Sequence, residues 1–240
     1  MIPKTIHYCW FGRGEKPPLA KKCIASWKKH CPDYEIIEWN EDNFDVNMNG
    51  YTKMCFKEKK WAFLSDYVRL WLVYEYGGIY FDTDVEVLRS IDPLLDNPAF
   101  FGFETDYKDH DTSSVINTGL GFGAVKNSEA IKTMLEEYDP LLDGMHGVRM
   151  CPELNTLGLE KIGLRWNGQL QQFSWGTVYP KEYFNPYESN TGRLVKTEHT
   201  YSVHWYMGSC LSRGAKLRSM ITKPLHRILG VNCFAWLRRR

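Results

Sequence analysis

The chain has 240 residues, 43% of them apolar and 25% charged, with a formal net charge of +1. That is enough chain for one substantial core, and too little excess basic charge for a protein held to nucleic acid by a broad cationic surface. Aromatic residues are abundant at 15%, a supply that fills the core first and leaves some rings for stacking on sugars or bases.

In chain order, residues 5–11 read as a buried strand rich in aromatic and β-branched side chains. Pro17 and Pro18 open a helix reaching about His30, with Leu19, Cys23, Ile24 and Trp27 on one face and lysines opposite. Residues 34–39 read as a short edge-like strand and the acidic stretch 40–45 as a solvated turn. A second helix covers 61–76. The tandem Gly77-Gly78 suits its C-terminus, where a left-handed residue lets the chain turn. Residues 79–85 continue as a strand. Strands are also expected over 100–104 and 120–125, with a polar loop between them, then a helix over 128–138 carrying Ile131, Met134 and Leu135. Residues 178–179 and 201–205 read as late short strands.

This alternation predicts an α/β fold with a twisted, partly parallel sheet. Ligands of such sheets gather beyond the carboxyl ends of the strands, and Trp10, Asp82 and Asp84 all fall at such ends. The seven cysteines form no Cys-x-x-Cys pair and are odd in number, so the sequence signals neither a zinc site nor a disulfide framework. Reduced thiols in a cytoplasmic protein are expected, and Met1 runs directly into the first strand with no room for a secretory signal. Residues 64–81 are apolar, but Asp66, Arg69, Glu75 and two glycines make them a poor membrane span. The expected division is one domain over 1–222 and a basic tail over 223–240. In that tail Leu225, Ile228, Leu229 and Trp236 lie on or near one helical face ahead of Arg238-Arg239-Arg240. It reads equally as a helix lying on an anionic membrane surface and as a final helix packed on the domain with a frayed basic end.

The chemistry concentrates between residues 61 and 85. In a helix, Ser65, Asp66 and Arg69 share one face, being three and four apart. The rest of that helix is apolar, through Phe63, Leu64, Leu70, Trp71 and Val73, which favours a cleft over an exposed ion pair. In a strand, Asp82 and Asp84 point the same way, because the side-chain period is two. Two carboxylates aimed together need a cation or hydrogen-bond donors, and a divalent ion is the simplest resolution.

The order Ser65-Asp66-x-x-Arg69, then Gly77-Gly78-x-Tyr80-x-Asp82-x-Asp84, resembles the sugar-binding region of glycosyltransferases containing a DxD motif. The nearest group is glycosyltransferase family 32, with its capsular-polysaccharide transferases and mannosyltransferases. The catalytic domain of the large clostridial glucosylating toxins is also similar. The opening Ile2-Pro3-Lys4-Thr5-Ile6-His7-Tyr8-Cys9-Trp10-Phe11-Gly12 fits the same group. The resemblance implies a GT-A fold, a Rossmann-like mixed and largely parallel sheet flanked by helices.

It also implies roles. Asp66, Arg69, Asp82 and Asp84 would form the catalytic set, with Asp66 and Arg69 on the donor sugar. Asp84 would bind Mn²⁺ or Mg²⁺ directly, and Asp82 would meet ribose or sugar hydroxyls and the metal through water. Trp10 would stack the nucleobase, Ser65 would accompany Asp66, and Asn117 would line the sugar pocket, where a turn-forming role explains it equally well. His204 would complete the metal shell and Ser209 would offer its hydroxyl to the diphosphate. His204 also fits a core histidine, and the family's tryptophan after that serine is Cys210 here.

The activity implied is transfer of a hexose from a nucleotide sugar, UDP favoured over GDP, to a saccharide or lipid-linked saccharide acceptor. Retention of configuration and a role in cell-surface polysaccharide synthesis are carried by resemblance alone, and the residues reveal no nucleophile or base. The expected location is cytoplasmic, with peripheral contact at the inner membrane face through the tail. A nucleotide-sugar hydrolase and a noncatalytic nucleotide-sugar-binding module are the rival readings. The intact carboxylates speak against the second, since a binder need not stabilise a leaving diphosphate.

Overall fold

The computed structural model describes residues 1–105, 115–207, 214, 222–225, 227, 228 and 230. It begins with β1 (Thr5–Cys9), α1 (Pro18–His30) and β2 (Glu35–Trp39); α2 (Gly50–Lys57) and α3 (Trp61–Tyr76) then lead to β3 (Gly78–Tyr80) and β4 (Val85–Val87). Next come β5 (Ala99–Gly102), β6 (Phe122–Ala124), α4 (Glu129–Glu136), α5 (Cys151–Glu160), β7 (Gln171–Phe173) and β8 (Gly176–Tyr179). The hairpin β9 (Tyr187–Glu188) and β10 (Arg193–Leu194) precedes β11 (Ser202–His204).

Seven strands form one sheet in the order β2-β1-β3-β6-β5-β8-β7. β1 is parallel to β2 and β3, and β5 to β8, whereas β6 and β7 oppose their neighbours. Strands β2, β1, β3, β5 and β8 therefore point one way, and their carboxyl ends share one edge. The pleat sorts the core into two layers. Ile6, Tyr8, Ile79 and Phe100 join the layer built with Cys23 and Trp27 of α1. Cys9, Tyr80 and Phe101 face the other, built with Leu64 and Val68 of α3, Ile131 of α4 and Leu154 of α5.

Helix α1 starts at Pro18, where a missing N–H costs nothing, and its Trp27 indole donates to the Val85 carbonyl at 2.7 Å. That bond fastens α1 to β4. Helix α3 stops at Gly77, whose φ of +69° a side chain would resist, and the Gly77 N–H closes the last turn on the Val73 carbonyl. No helix among the described residues is long and apolar enough to cross a membrane.

Several elements differ from the sequence reading. The expected strand through the carboxylates is broken: β3 ends at Tyr80, and Asp82 and Asp84 lie in a turn closed by the Val85 N–H on the Asp82 carbonyl at 3.0 Å. A turn, not a pleat, aims the two side chains together. β4 then leaves the main sheet and pairs with β11 in a separate ribbon. Leu120 falls in a 3-10 turn ahead of β6. Helices α2 and α5 went unforeseen, although Asn49 and Thr52 cap α2 reciprocally, each side chain bonding the other's backbone. β2 is an edge strand, as its sequence suggested. The expected loop over 106–114 and most of the tail lie outside the described residues.

Candidate active site

Helix α3 carries Asp66 and Arg69 one turn apart, toward the carboxyl edge of the sheet. Arg69 Nη2 meets Asp66 Oδ1 at 2.5 Å and lies 3.3 Å from Asp82 Oδ1. Its Nε donates to the Ser65 carbonyl, and the guanidinium lies over the Tyr80 ring, 5.1 Å from the ring centre. The Tyr80 hydroxyl donates to Asp82 Oδ1 at 3.2 Å. Arg69 is 3% exposed. Burial opposes its charge, but the Asp82 and Asp66 carboxylates outweigh burial and hold the proton firmly. One guanidinium nitrogen, Nη1, is buried with no partner among the described residues. A surface pair at this spacing would be worth only about 0.2–0.5 kcal/mol. This one is an interior cluster with a donor to spare.

The second group depends on strand pairing. β11 runs antiparallel to β4 with His204 opposite Val85, which sets the imidazole beside Asp84. His204 Nε2 lies 3.1 Å from Asp84 Oδ1, and the Met207 N–H donates to Asp84 Oδ2 at 2.7 Å. Burial would raise the Asp84 pKa; the charge of His204 and these hydrogen bonds reverse that and hold it below the usual carboxylate range. Burial would likewise lower His204, and Asp84 overrides it upward. Asp82 is pushed up to about 6 by burial, against the charge of Arg69 and with that of Asp84.

Asp82, Asp84 and His204 each offer one ligand atom, all within 4.8 Å of one another. An ionised carboxylate, a second one strained toward protonation and an imidazole make a donor set that fits Mn²⁺, and Mg²⁺ less well because of the nitrogen. The buried His204 Nδ1, which has no partner among the described residues, agrees with that fit.

A third group closes the circuit. Asn117 caps the 3-10 turn before β6, its Oδ1 accepting from the Gly119 N–H at 2.7 Å and its Nδ2 donating to Glu104 Oε1 at 3.1 Å. The Tyr206 hydroxyl donates to the same Glu104 oxygen at 2.9 Å, and its ring lies edge-on to His204 with centroids 4.2 Å apart. Gly119 permits the closest approach. A Cβ there would stand 2.6 Å from Asp82 Oδ2, 2.9 Å from Asn117 Oδ1 and 3.0 Å from Arg69 Nη1. Asp66, Arg69, Asp82, Asp84, His204, Tyr206, Glu104 and Asn117 thus follow one another around a single ring.

Trp10 and Ser65 are placed less suggestively. Trp10 follows β1 at the correct edge, half-buried, but its indole N–H is taken by the Gly14 carbonyl at 2.6 Å and Lys16 lies 5.5 Å from its ring centre. A base stacking there would use the other face or displace the lysine. The Ser65 hydroxyl bonds back to the Ala62 carbonyl at 2.8 Å, so Ser65 reaches the cluster only through its own carbonyl. Ser209 lies outside the described residues.

Sequence reasoning missed Glu104, Tyr206 and Gly119. Glu104 closely follows β5, whose carboxyl end shares the edge that drew attention to Trp10 and Asp82, so the same rule applied once more would have found it. Tyr206 lies just beyond β11 with a positive φ of 48°, so the strand period gives no signal for it. Gly119 left no signal beyond being a glycine next to Asn117.

A cavity of about 610 Å³ lies elsewhere, lined by Thr191, Gly192, Lys223, Pro224, Arg227 and Ile228. None of these described lining residues carries a carboxylate.

The mixed α/β fold is of the GT-A type found among glycosyltransferases. The fold is similar to that of the solved PaToxG glycosyltransferase, with a TM-score of 0.53 and 19% identity over 68% of this chain and 70% of that one. Residues 17–101 match the model for the glycosyltransferase sugar-binding region containing the DXD motif, and Asp66, Arg69, Asp82 and Asp84 fall within the match. Inositol phosphoceramide mannosyltransferase 3 of Schizosaccharomyces pombe is 32% identical over 107 residues, 41% of this chain and 29% of the relative. Mannosyl phosphorylinositol ceramide synthase CSH1 of Saccharomyces cerevisiae is likewise 32% identical over 107 residues, 42% of this chain and 27% of the relative. The match therefore spans under a third of either relative's length.

Proposed function

We propose that the protein is a metal-dependent glycosyltransferase that moves a hexose from a nucleotide sugar to an acceptor hydroxyl. The observation that carries this reading is the convergence around Gly119. An arginine nitrogen with no partner among the described residues, a carboxylate oxygen and an amide oxygen converge so closely on this glycine that a methyl there would stand within about 3 Å of each. That is a set of donors and acceptors suited to sugar hydroxyls, and it adjoins the Asp82, Asp84 and His204 group.

In this reading Asp66 accepts hydrogen bonds from donor-sugar hydroxyls, and Arg69 Nη1 donates to sugar or phosphate oxygens. Asp84, His204 and Asp82 hold the divalent ion. When bound, that ion neutralises charge growing on the leaving diphosphate. Met207 fixes one Asp84 oxygen through its backbone N–H, which keeps the carboxylate turned toward His204. Asn117 borders the sugar, and Trp10 stacks the base. Retention of configuration follows the family resemblance.

The names of the relatives favour mannose as the hexose and an inositol phosphoceramide as one acceptor to test, beside the UDP-sugar donor and the surface polysaccharide implied by the sequence resemblance. The tail supports a membrane-side acceptor: Leu225 is 37% exposed and Ile228 78%, next to Arg227. A thermal-shift screen of UDP- and GDP-sugars, with and without Mn²⁺, tests the proposal. Stabilisation by at least one nucleotide sugar is expected only when the ion is present, and Asp84→Asn should remove it together with donor turnover. Turnover unaffected by Asp84→Asn would discard the metal assignment. Sugar release that no acceptor accelerates would point to a hydrolase.

A further inference from the structure

Within the ring, Glu104 is the one carboxylate to which neither the donor sugar nor the metal lays claim. It stands between Asn117, which caps the 3-10 turn, and Tyr206 beyond β11. Two donors from separate parts of the chain, Asn117 Nδ2 and the Tyr206 hydroxyl, both end on Oε1, and among the described residues no bond ends on Oε2. Asn185 steadies the assembly. It is 2% exposed, and its Nδ2 donates to the Glu104 carbonyl at 2.9 Å and to the Tyr206 oxygen at 2.7 Å. The Tyr206 hydroxyl therefore accepts from Asn185 and points its own hydrogen at Glu104. A half-buried carboxylate fixed this firmly through one oxygen presents the other in a set direction, which is the arrangement of a binding group and not of a loose surface acid.

We propose that Glu104 receives the acceptor: Oε2 takes a hydrogen bond from the attacking hydroxyl of a polyhydroxylated acceptor, a saccharide or cyclitol, and turns that oxygen toward the donor sugar. This rests on the glycosyltransferase reading above. Chemistry supports the choice of ligand. A carboxylate oxygen only accepts, so its complement is a donor such as a hydroxyl, and it repels the phosphates of the nucleotide. It also lies beside Asn117, whose Oδ1 holds the Gly119 N–H next to Asp82 and Arg69. No proton transfer is assigned to Glu104; it orients a nucleophile, and the bond changes remain those of the transfer itself.

The isosteric variant Glu104→Gln separates the roles. A glutamine keeps a carbonyl oxygen for Asn117 and Tyr206 and replaces Oε2 with an N–H₂ that cannot accept. The experiment uses the full chain with Mn²⁺ and whichever of UDP-glucose, UDP-galactose, UDP-N-acetylglucosamine or GDP-mannose stabilises the wild type most. Nucleoside diphosphate release is followed with methyl α-D-mannopyranoside and myo-inositol present and absent.

Donor affinity and thermal stability should match the wild type, while acceptor-dependent and water-dependent release both fall about 10- to 100-fold, the scale of one lost charged hydrogen bond. Glu104→Asp should recover part of the rate, which a purely structural role of the side chain would not require. A rise in donor KM without loss of kcat would place Glu104 in the donor site and overturn the proposal. So would undiminished release in Glu104→Gln. Absence of donor stabilisation in the wild type would instead refute the glycosyltransferase reading from which the proposal starts.

Discussion

Gly119→Ala is the sharpest perturbation available, because the added methyl would press on three polar atoms of the candidate site. Ordinary contact with a Cβ begins near 3.4 Å, and the new methyl would stand 2.6 Å from Asp82 Oδ2, 2.9 Å from Asn117 Oδ1 and 3.0 Å from Arg69 Nη1. Asp82 must then retreat by about 0.8 Å, Asn117 by about 0.5 Å and Arg69 by about 0.4 Å. Asp82 has a quarter of its side chain exposed and can rotate away, so stability should fall by only about 1 kcal/mol, in the range of mild overpacking. Function should suffer far more, since misplacing a binding group by 1 Å costs on the order of 100-fold in rate. The assay pairs thermal unfolding with Mn²⁺-dependent release of nucleoside diphosphate. Near-native melting with turnover down by about two orders of magnitude is the expected result. Native turnover would show that the placement of Asp82, Asn117 and Arg69 does not matter to the reaction, and the reasoning that carries the proposed function would be refuted.

Three further outcomes follow from particular contacts. Arg69→Met leaves Asp66 and Asp82 without their counter-charge and should cost about 3–5 kcal/mol in urea unfolding; a loss under about 1 kcal/mol would mean that the cluster is already open to water. His7 is buried, with Nε2 on the Gly77 carbonyl and Nδ1 on the Trp39 indole, and burial lowers its pKa below the ordinary 6.5. The unfolded chain therefore takes up a proton before the folded one does. Stability from this residue is complete above pH 6.5 and declines as pH falls toward the lower folded value; His7→Gln should flatten that slope in pH-dependent unfolding, and an unchanged slope would assign it to other groups. For the tail, a chain cut after Lys223 should float less well with anionic liposomes than the full chain, and equal recovery would end the membrane proposal.

Periodicity made the scaffold readable. The alternation of Ile6 and Tyr8 with His7 and Cys9, and of Ile79 with Tyr80, announced strands buried on both faces, and the Pro17-Pro18 and Gly77-Gly78 boundaries marked helix ends for reasons local to the backbone. The three-residue spacing of Asp66 and Arg69 survives as a direct contact. What stayed hidden is non-local. Asp82 and Asp84 converge through a turn, where the strand period that first joined them does not apply. His204 reaches Asp84 only because β11 pairs with β4 across more than a hundred residues, and nothing in the residues around His204 separates that outcome from a core histidine. Glu104 and Tyr206 meet by the same kind of long-range closure. Helix α2 announces itself weakly, through the short capping pair Asn49 and Thr52. Helix α5 begins at Cys151-Pro152 and buries Asn155, Thr156 and Gly158 beside its leucines, so its sequence shows no clean apolar stripe to set it apart from a loop.

Crystals grown with Mn²⁺ and UDP, with data collected at the manganese absorption edge, bear most directly on the idea beneath every role assigned above. One strong anomalous peak is predicted among Asp82, Asp84 and His204, with the nucleotide's diphosphate as its remaining ligand and Asp66 and Arg69 facing the place of the missing sugar. A nucleotide bound at another edge of the sheet, or manganese density absent from those three side chains while the nucleotide is in place, would contradict it.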